Sequence, residues 1–252
     1  KEGGRGLPRP SPSLLLGMFH PIKMTSDPKI LILAFIGGII PSLLWLWFWS
    51  KEEEKNPEPK KILTLVFILG MLAVIFVLPI QKFIQGNIGS PEWQLILWAS
   101  AEEIIKYLAV LIVLYKTTYA DEPIDWPIYL ITAALGFAAL ENTLFLIKPL
   151  SVGENTVSLL MGQFRFLGST LLHTVSSGIL GIALGISLHL KGLKRKLYLL
   201  SGLAFAIALH SAFNFFIIRT SGNNGSDFLE ILKVFGFLWV VTIIVMLLFE
   251  KV

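Results

Sequence analysis

Among the ionisable side chains inside long apolar stretches of this sequence, those able to do chemistry are Glu102, Glu103, Lys106, Glu141, His173 and His210. Asn142 and Asn214 accompany them. An ionisable group at bilayer depth costs about 2.5–3.5 kcal/mol on insertion scales, so one that is kept there has a partner or a task. Lys106 follows Glu102 by four residues and Glu103 by three, close enough to neutralise a carboxylate on its own helix. His210 and Asn214 share one helical face at the same four-residue spacing. Carboxylates and imidazoles from converging helices are the ligand types that bind zinc and leave a position open for water. Glu103, His173 and His210 are the expected ligands if a metal is present, with Glu141 as a further one. The spare carboxylate of the Glu102/Glu103 pair could then act as general base. Without metal, a glutamate hydrogen-bonded to a histidine can activate water, and His210 with Asn214 can donate to the oxyanion. Each residue also has a plainer reading. The Glu–Lys pair could be structural, Glu141 and Asn142 could be packing polar groups, and His173 could be a satisfied core histidine.

The elements that must hold these residues are membrane helices. The chain has 252 residues, 54% hydrophobic and 15% charged, where an ordinary soluble domain has about 25% charged residues. The apolar residues fall into seven runs, each near the ~20 residues needed to cross a bilayer core. The runs are 30–49, 62–84, 93–115, 127–147, 166–188, 197–218 and 228–249, within one transmembrane domain over 30–250. Residues 1–29, rich in Pro, Gly and basic residues, are set aside as a tail, either non-native or disordered. The expected fold is therefore an all-α polytopic helical bundle. Small residues such as Gly136, Gly178, Gly181 and Ala206 allow close helix approach in runs four to six. Helices three to six then form the core, and the bulkier runs one, two and seven face lipid. With no cysteine, disulfides and thiolate metal sites are excluded. The net charge of +4 carries no nucleic-acid implication in such a chain, because basic residues in membrane proteins gather in loops.

Depth connects the polar residues. Helices alternate in direction, so distance is counted from one membrane face each time. On that count Glu103, Glu141, His173 and His210 all lie roughly 9–15 Å below the same surface. Four helices placing costly residues in one layer points to a single site. One set of loops and ends holds Lys51, Lys55, Lys60, Lys61, Lys116, Lys191, Lys194, Arg195, Lys196 and Lys251. The opposite set holds only Lys29, Lys82, Lys148, Arg165, Arg219 and Lys233. Counted without the tail, the bias places the polar layer nearer the extracytoplasmic face.

These residues resemble the motifs of PrsW-type intramembrane proteases. Glu102-Glu103-x-x-Lys106 is similar to the first motif, and Phe137-x-x-x-Glu141-Asn142 to the second. His173 alone, and His210-x-x-x-Asn214, are similar to the remaining two. The likeness spans residues 93–216, in the family's order. CAAX-processing and bacteriocin-immunity proteases have a related first motif that ends in Arg one residue later. The resemblance implies hydrolysis of peptide bonds in or near the membrane of a prokaryotic cell. It implies substrates such as single-pass anti-sigma factors, cut on the outer side. It also makes Glu102, Glu103, His173 and His210 the catalytic set, with Lys106, Glu141, Asn142 and Asn214 in support. Zinc and a metal-free glutamate mechanism are both open, as is the oligomeric state.

Two other readings compete. Carboxylates and histidines also build relays in proton- or ion-coupled transporters. Against that reading, no second polar set is evident toward the opposite face, and no inverted repeat is visible. A catalytically inactive scaffold would have no need of so many intramembrane carboxylates.

Overall fold

The computed structural model describes residues 27–51, 57–115, 117–151, 165–221 and 228–251. The expected tail lies outside them apart from its last three residues, where Pro28 opens the first helix. Seven long helices follow, and no strand occurs among the described residues. They are α1 (Pro28–Lys51), α2 (Lys60–Asn87), α3 (Pro91–Leu114), α4 (Asp125–Ser151), α5 (Leu171–Ile186), α6 (Gly192–Ser221) and α7 (Phe228–Phe249). A π-helical turn, Arg165–Thr170, leads directly into α5. Six membrane-capable spans result by length and composition, with the turn and α5 counting as one. The seventh helix, α3, has 24 residues but carries Glu102, Glu103 and Lys106 in its middle. The chain is a polytopic helical bundle, and α3 carries three ionisable residues at its centre.

Local chemistry sets the start of α3. Ser90 caps it by accepting from the Trp93 amide at 3.4 Å, Pro91 occupies the first turn, and Glu92 faces the positive end of the helix dipole. Between α5 and α6 the chain reverses at Gly192, whose φ of +62° is a conformation other residues rarely adopt. The basic segment 191–196 was expected as a connection. From Gly192 onward it forms the first turns of α6 instead.

The bundle is organised around α4, which packs against α1, α2, α3 and α5. In the apolar spans of α4 and α5, 78% of the residues are buried, against 17% in α1 and 22% in α7. Without a hydrophobic drive between helices in lipid, such burial depends on close backbone approach. Gly70 of α2 lies against the Ala133 carbonyl of α4, and Gly136 of α4 lies against the Phe67 carbonyl of α2. A side chain at either glycine would overlap the facing backbone. Gly181 likewise allows α5 to meet Pro127 at the start of α4. The α6 span is less enclosed, with 28% of its residues buried. Its inward stripe is Gly202, Ala206 and His210 at four-residue spacing, while Ala204 and Ala208 face outward.

Candidate active site

Five helices bring polar groups to one place deep in the bundle. Glu102, Glu103 and Lys106 come from α3, Glu141 and Asn142 from α4, and His173 and Ser177 from α5. His210 comes from α6 and Gln81 from α2. Glu103 and Lys106 are fully buried, and Glu102, His173 and His210 nearly so. Glu141 alone of the carboxylates retains real exposure, at 20% of its side chain.

Glu103 is saturated with donors. Its Oε1 accepts from Lys106 Nζ at 2.6 Å and from His210 Nδ1 at 2.8 Å, and its Oε2 accepts from the Ser177 hydroxyl at 2.8 Å. A carboxylate only accepts, so the hydrogen of His210 is assigned to Nδ1. In the neutral ring, His210 Nε2 then carries the lone pair. Lys106 has only donors. Its Nζ lies 3.2 Å from His173 Nδ1, which must therefore accept. The hydrogen of His173 belongs on Nε2, and it donates to Glu141 Oε2 at 3.0 Å. The two imidazole rings meet edge-on with centroids 5.0 Å apart, and Phe137 packs against His173 at 5.1 Å.

Glu102 is held differently. Its Oε1 accepts from the Gln81 side-chain amide at 2.7 Å. Its Oε2 is buried and makes no hydrogen bond among the described residues. That oxygen lies 3.4 Å from His210 Nε2 and 4.0 Å from His173 Nδ1. Two lone-pair atoms, Glu102 Oε2 and His210 Nε2, thus face each other with no donor assigned between them. Such an arrangement requires a proton, a water hydrogen or a metal cation. Counted as ionised, three carboxylates against one ammonium leave the cluster at −2 with neutral histidines, the charge one divalent cation would balance.

The donor set fits a metal. Glu102, His173 and His210 each present one ligand-type atom, and these atoms lie within 4.8 Å of one another. Each residue also has an orienting partner on its other polar atom: Gln81 for Glu102, Glu141 for His173 and Glu103 for His210. Outer contacts of this kind fix the tautomer and aim of metal-binding side chains. The sequence reading put Glu103 with the two histidines. In the structure Glu103 accepts from His210, Lys106 and Ser177, and it is Glu102 whose Oε2 lies by His210 Nε2 without a donor.

The remaining expected residues surround this centre. Asn142 donates through Nδ2 to Thr170 Oγ1 at 3.0 Å, and its buried Oδ1 has no partner among the described residues. Ser169 donates to Glu141 Oε2 at 3.1 Å. Ser169 and Thr170 both come from the π-helical turn that leads into α5 ahead of His173; such turns recur at functional sites. Asn214 is half-buried one turn beyond His210, and no bond joins it to the cluster among the described residues. Gln81, Ser169, Thr170 and Ser177 were not singled out from the sequence as site residues. The signal for Gln81 was an amide within a largely apolar run.

The pattern of the PrsW family intramembrane metalloprotease matches residues 58–249. The chain belongs to the PrsW family. The Protease PrsW of Geobacillus kaustophilus is 28% identical over 184 residues, covering 72% of this chain and 78% of that protein. The Protease PrsW of Clostridioides difficile is 27% identical over 191 residues, covering 73% and 79%. The Bacillus subtilis protein of the same name is 30% identical over 113 residues, covering 44% and 52%. No solved structure matches. This PrsW-family chain is therefore an integral membrane protein and a protease, and the matched region contains every residue of the cluster. A transporter is not the function these relatives favour.

Proposed function

We propose that the chain is an intramembrane endopeptidase that cuts membrane-protein substrates with water activated at Glu102, His173 and His210. The observation that carries this reading is the convergence of one ligand-type atom from each of these three buried residues. Water entering between Glu102 Oε2 and His210 Nε2 donates a hydrogen to each, which turns its own lone pair toward a substrate carbonyl. Glu102 takes the proton as the oxygen–carbon bond forms, and returns it to the leaving nitrogen as the peptide bond breaks. Glu103 and Glu141 hold the two imidazoles by their far nitrogens, so His210 presents its Nε2 lone pair to the centre, while the Nδ1 lone pair of His173 faces Lys106 Nζ. The Asn214 amide, one turn beyond His210, is the candidate donor to the carbonyl oxygen as it gains charge.

Glu102, His173 and His210 would hold zinc, with Glu103 in an orienting role rather than as a ligand. Bound there, zinc would polarise the carbonyl and lower the pKa of its water toward about 7. The loop-charge bias supports a site nearer the extracytoplasmic face of a prokaryotic plasma membrane, and the family resemblance is what suggests single-pass proteins of the anti-sigma-factor type as substrates.

Metal analysis of detergent-purified protein tests the assignment. Wild type is expected to hold about one zinc per chain, and a His173→Ala/His210→Ala double variant none. Equal zinc in both would remove the histidines from the metal site. No metal in an active wild type would leave the glutamate-and-histidine route alone.

A further inference from the structure

We propose that Gln81 is a positioning residue for Glu102: its side-chain amide fixes the carboxylate plane so that Oε2 faces the two histidines. The inference rests on the assignment of Glu102 to the site and extends it to α2, a helix without any of the motif residues. Rotation of a glutamate carboxylate about its last side-chain bond is soft and roughly two-fold, so burial alone does not aim it. The 2.7 Å bond from Gln81 Nε2 to Oε1 removes that freedom and leaves Oε2 as the atom turned to His210 Nε2 at 3.4 Å.

The amide is itself clamped. Trp98, one turn before Glu102 on α3, donates its indole hydrogen to the Gln81 backbone carbonyl at 3.1 Å. Gln81 is therefore bound to α3 at two points four residues apart, once by its backbone and once by its side chain. Ile84, Leu95 and Trp98 pack together beside this contact and keep the two helices in register.

The identity of the donor matters as much as its place. Glu103 is bound by an ammonium, which cancels its charge. Glu102 is bound by a neutral amide, which orients it and leaves its negative charge for a proton or a cation. A buried amide in an apolar run is unfavourable unless it is hydrogen-bonded, and here the bond goes to the reactive carboxylate.

The test compares Gln81→Met, Glu102→Gln and the double variant with wild type, each purified in detergent. It measures kcat and KM on a single-pass substrate, zinc affinity by chelator competition, and the thermal midpoint as a control for folding. Gln81→Met is expected to lower kcat about 10–100-fold and to weaken zinc by the same order, with KM unchanged. Added to Glu102→Gln, it should change zinc affinity no further, because it acts through that carboxylate. Wild-type kcat and zinc affinity in Gln81→Met, beside an inactive Glu102→Gln, would overturn the proposal. An equal loss of zinc affinity with and without the Glu102 carboxylate would also overturn it, by showing a general packing role. Full activity in Glu102→Gln would overturn the assignment of Glu102 itself. If wild type holds no metal, the kcat comparison decides. Gln81→Glu, of the same shape but with a carboxylate for the amide, is read the same way if Gln81→Met fails to fold.

Discussion

The two ends of α4 carry two buried polar groups that differ in kind. Toward its C-terminal end Glu141 and Asn142 join the cluster of Glu102, Glu103, Lys106, His173 and His210. At its N-terminal end Tyr129 donates a hydrogen bond to Glu58, and Asp125 Oδ2 accepts from the Glu122 amide at 2.6 Å. The sequence reading found no second polar set toward that face, and this group is one. Glu58 and Asp125 are nearly as buried as the site residues. The Asp125 bond is that of a helix start, in which an acidic side chain reaches back three residues to an exposed amide, as in a capping box, while the Tyr129–Glu58 bond ties α4 to the segment before α2. The site leaves Glu102 Oε2 without a donor and aims two imidazole nitrogens near it. Packed apolar residues such as Ala133, Leu135, Gly136 and Phe137 separate the two groups along α4. Burial of charge therefore does not identify a site, whereas a lone pair left without a donor among ligand-type atoms does.

Substitutions can break or sharpen that contrast. The largest effect on stability is expected from Lys106→Met, which strands the fully buried Glu103 carboxylate. Losing one partner of a buried pair costs about 3–5 kcal/mol, so both the thermal midpoint and cleavage should fall. Tyr129→Phe removes the donor to Glu58 and should cost about 1–3 kcal/mol in a denaturation assay while leaving cleavage intact. The smallest effect is expected from Asp125→Ala, about 1 kcal/mol from a lost helix-end contact, again without change in kcat. A loss of kcat in either N-terminal variant at full stability would erase the distinction between the two ends.

Much of the site was legible because ionisable residues in apolar runs are few. Glu102, Glu103, Lys106, Glu141, His173 and His210 each stand out from the sequence around them, and equal depth joined them. Which glutamate keeps an oxygen without a donor beside the histidines was not legible. Glu102 and Glu103 both lie within reach of Lys106 but project about 100° apart around the helix, and only the packing of α3 decides between them. Gln81, Ser169, Thr170 and Ser177 were hidden for another reason. Uncharged polar residues enter membrane helices at modest cost and bond in many ways, so their presence alone signals little. In run six a stride of four turns Ala206 inward and leaves Ala204 and Ala208 outside. Glu58 and Asp125 were read as loop residues, because the pairing of Glu58 with Tyr129 spans 71 positions that no local pattern connects.

The most direct test of the central claim is cleavage of a single-pass substrate in liposomes by wild type, Glu102→Gln and Tyr129→Phe, at equal amounts of folded protein. The account predicts wild-type cleavage by Tyr129→Phe and a loss of about 10²- to 10⁴-fold in Glu102→Gln. Cleavage by Glu102→Gln at the wild-type rate would contradict it.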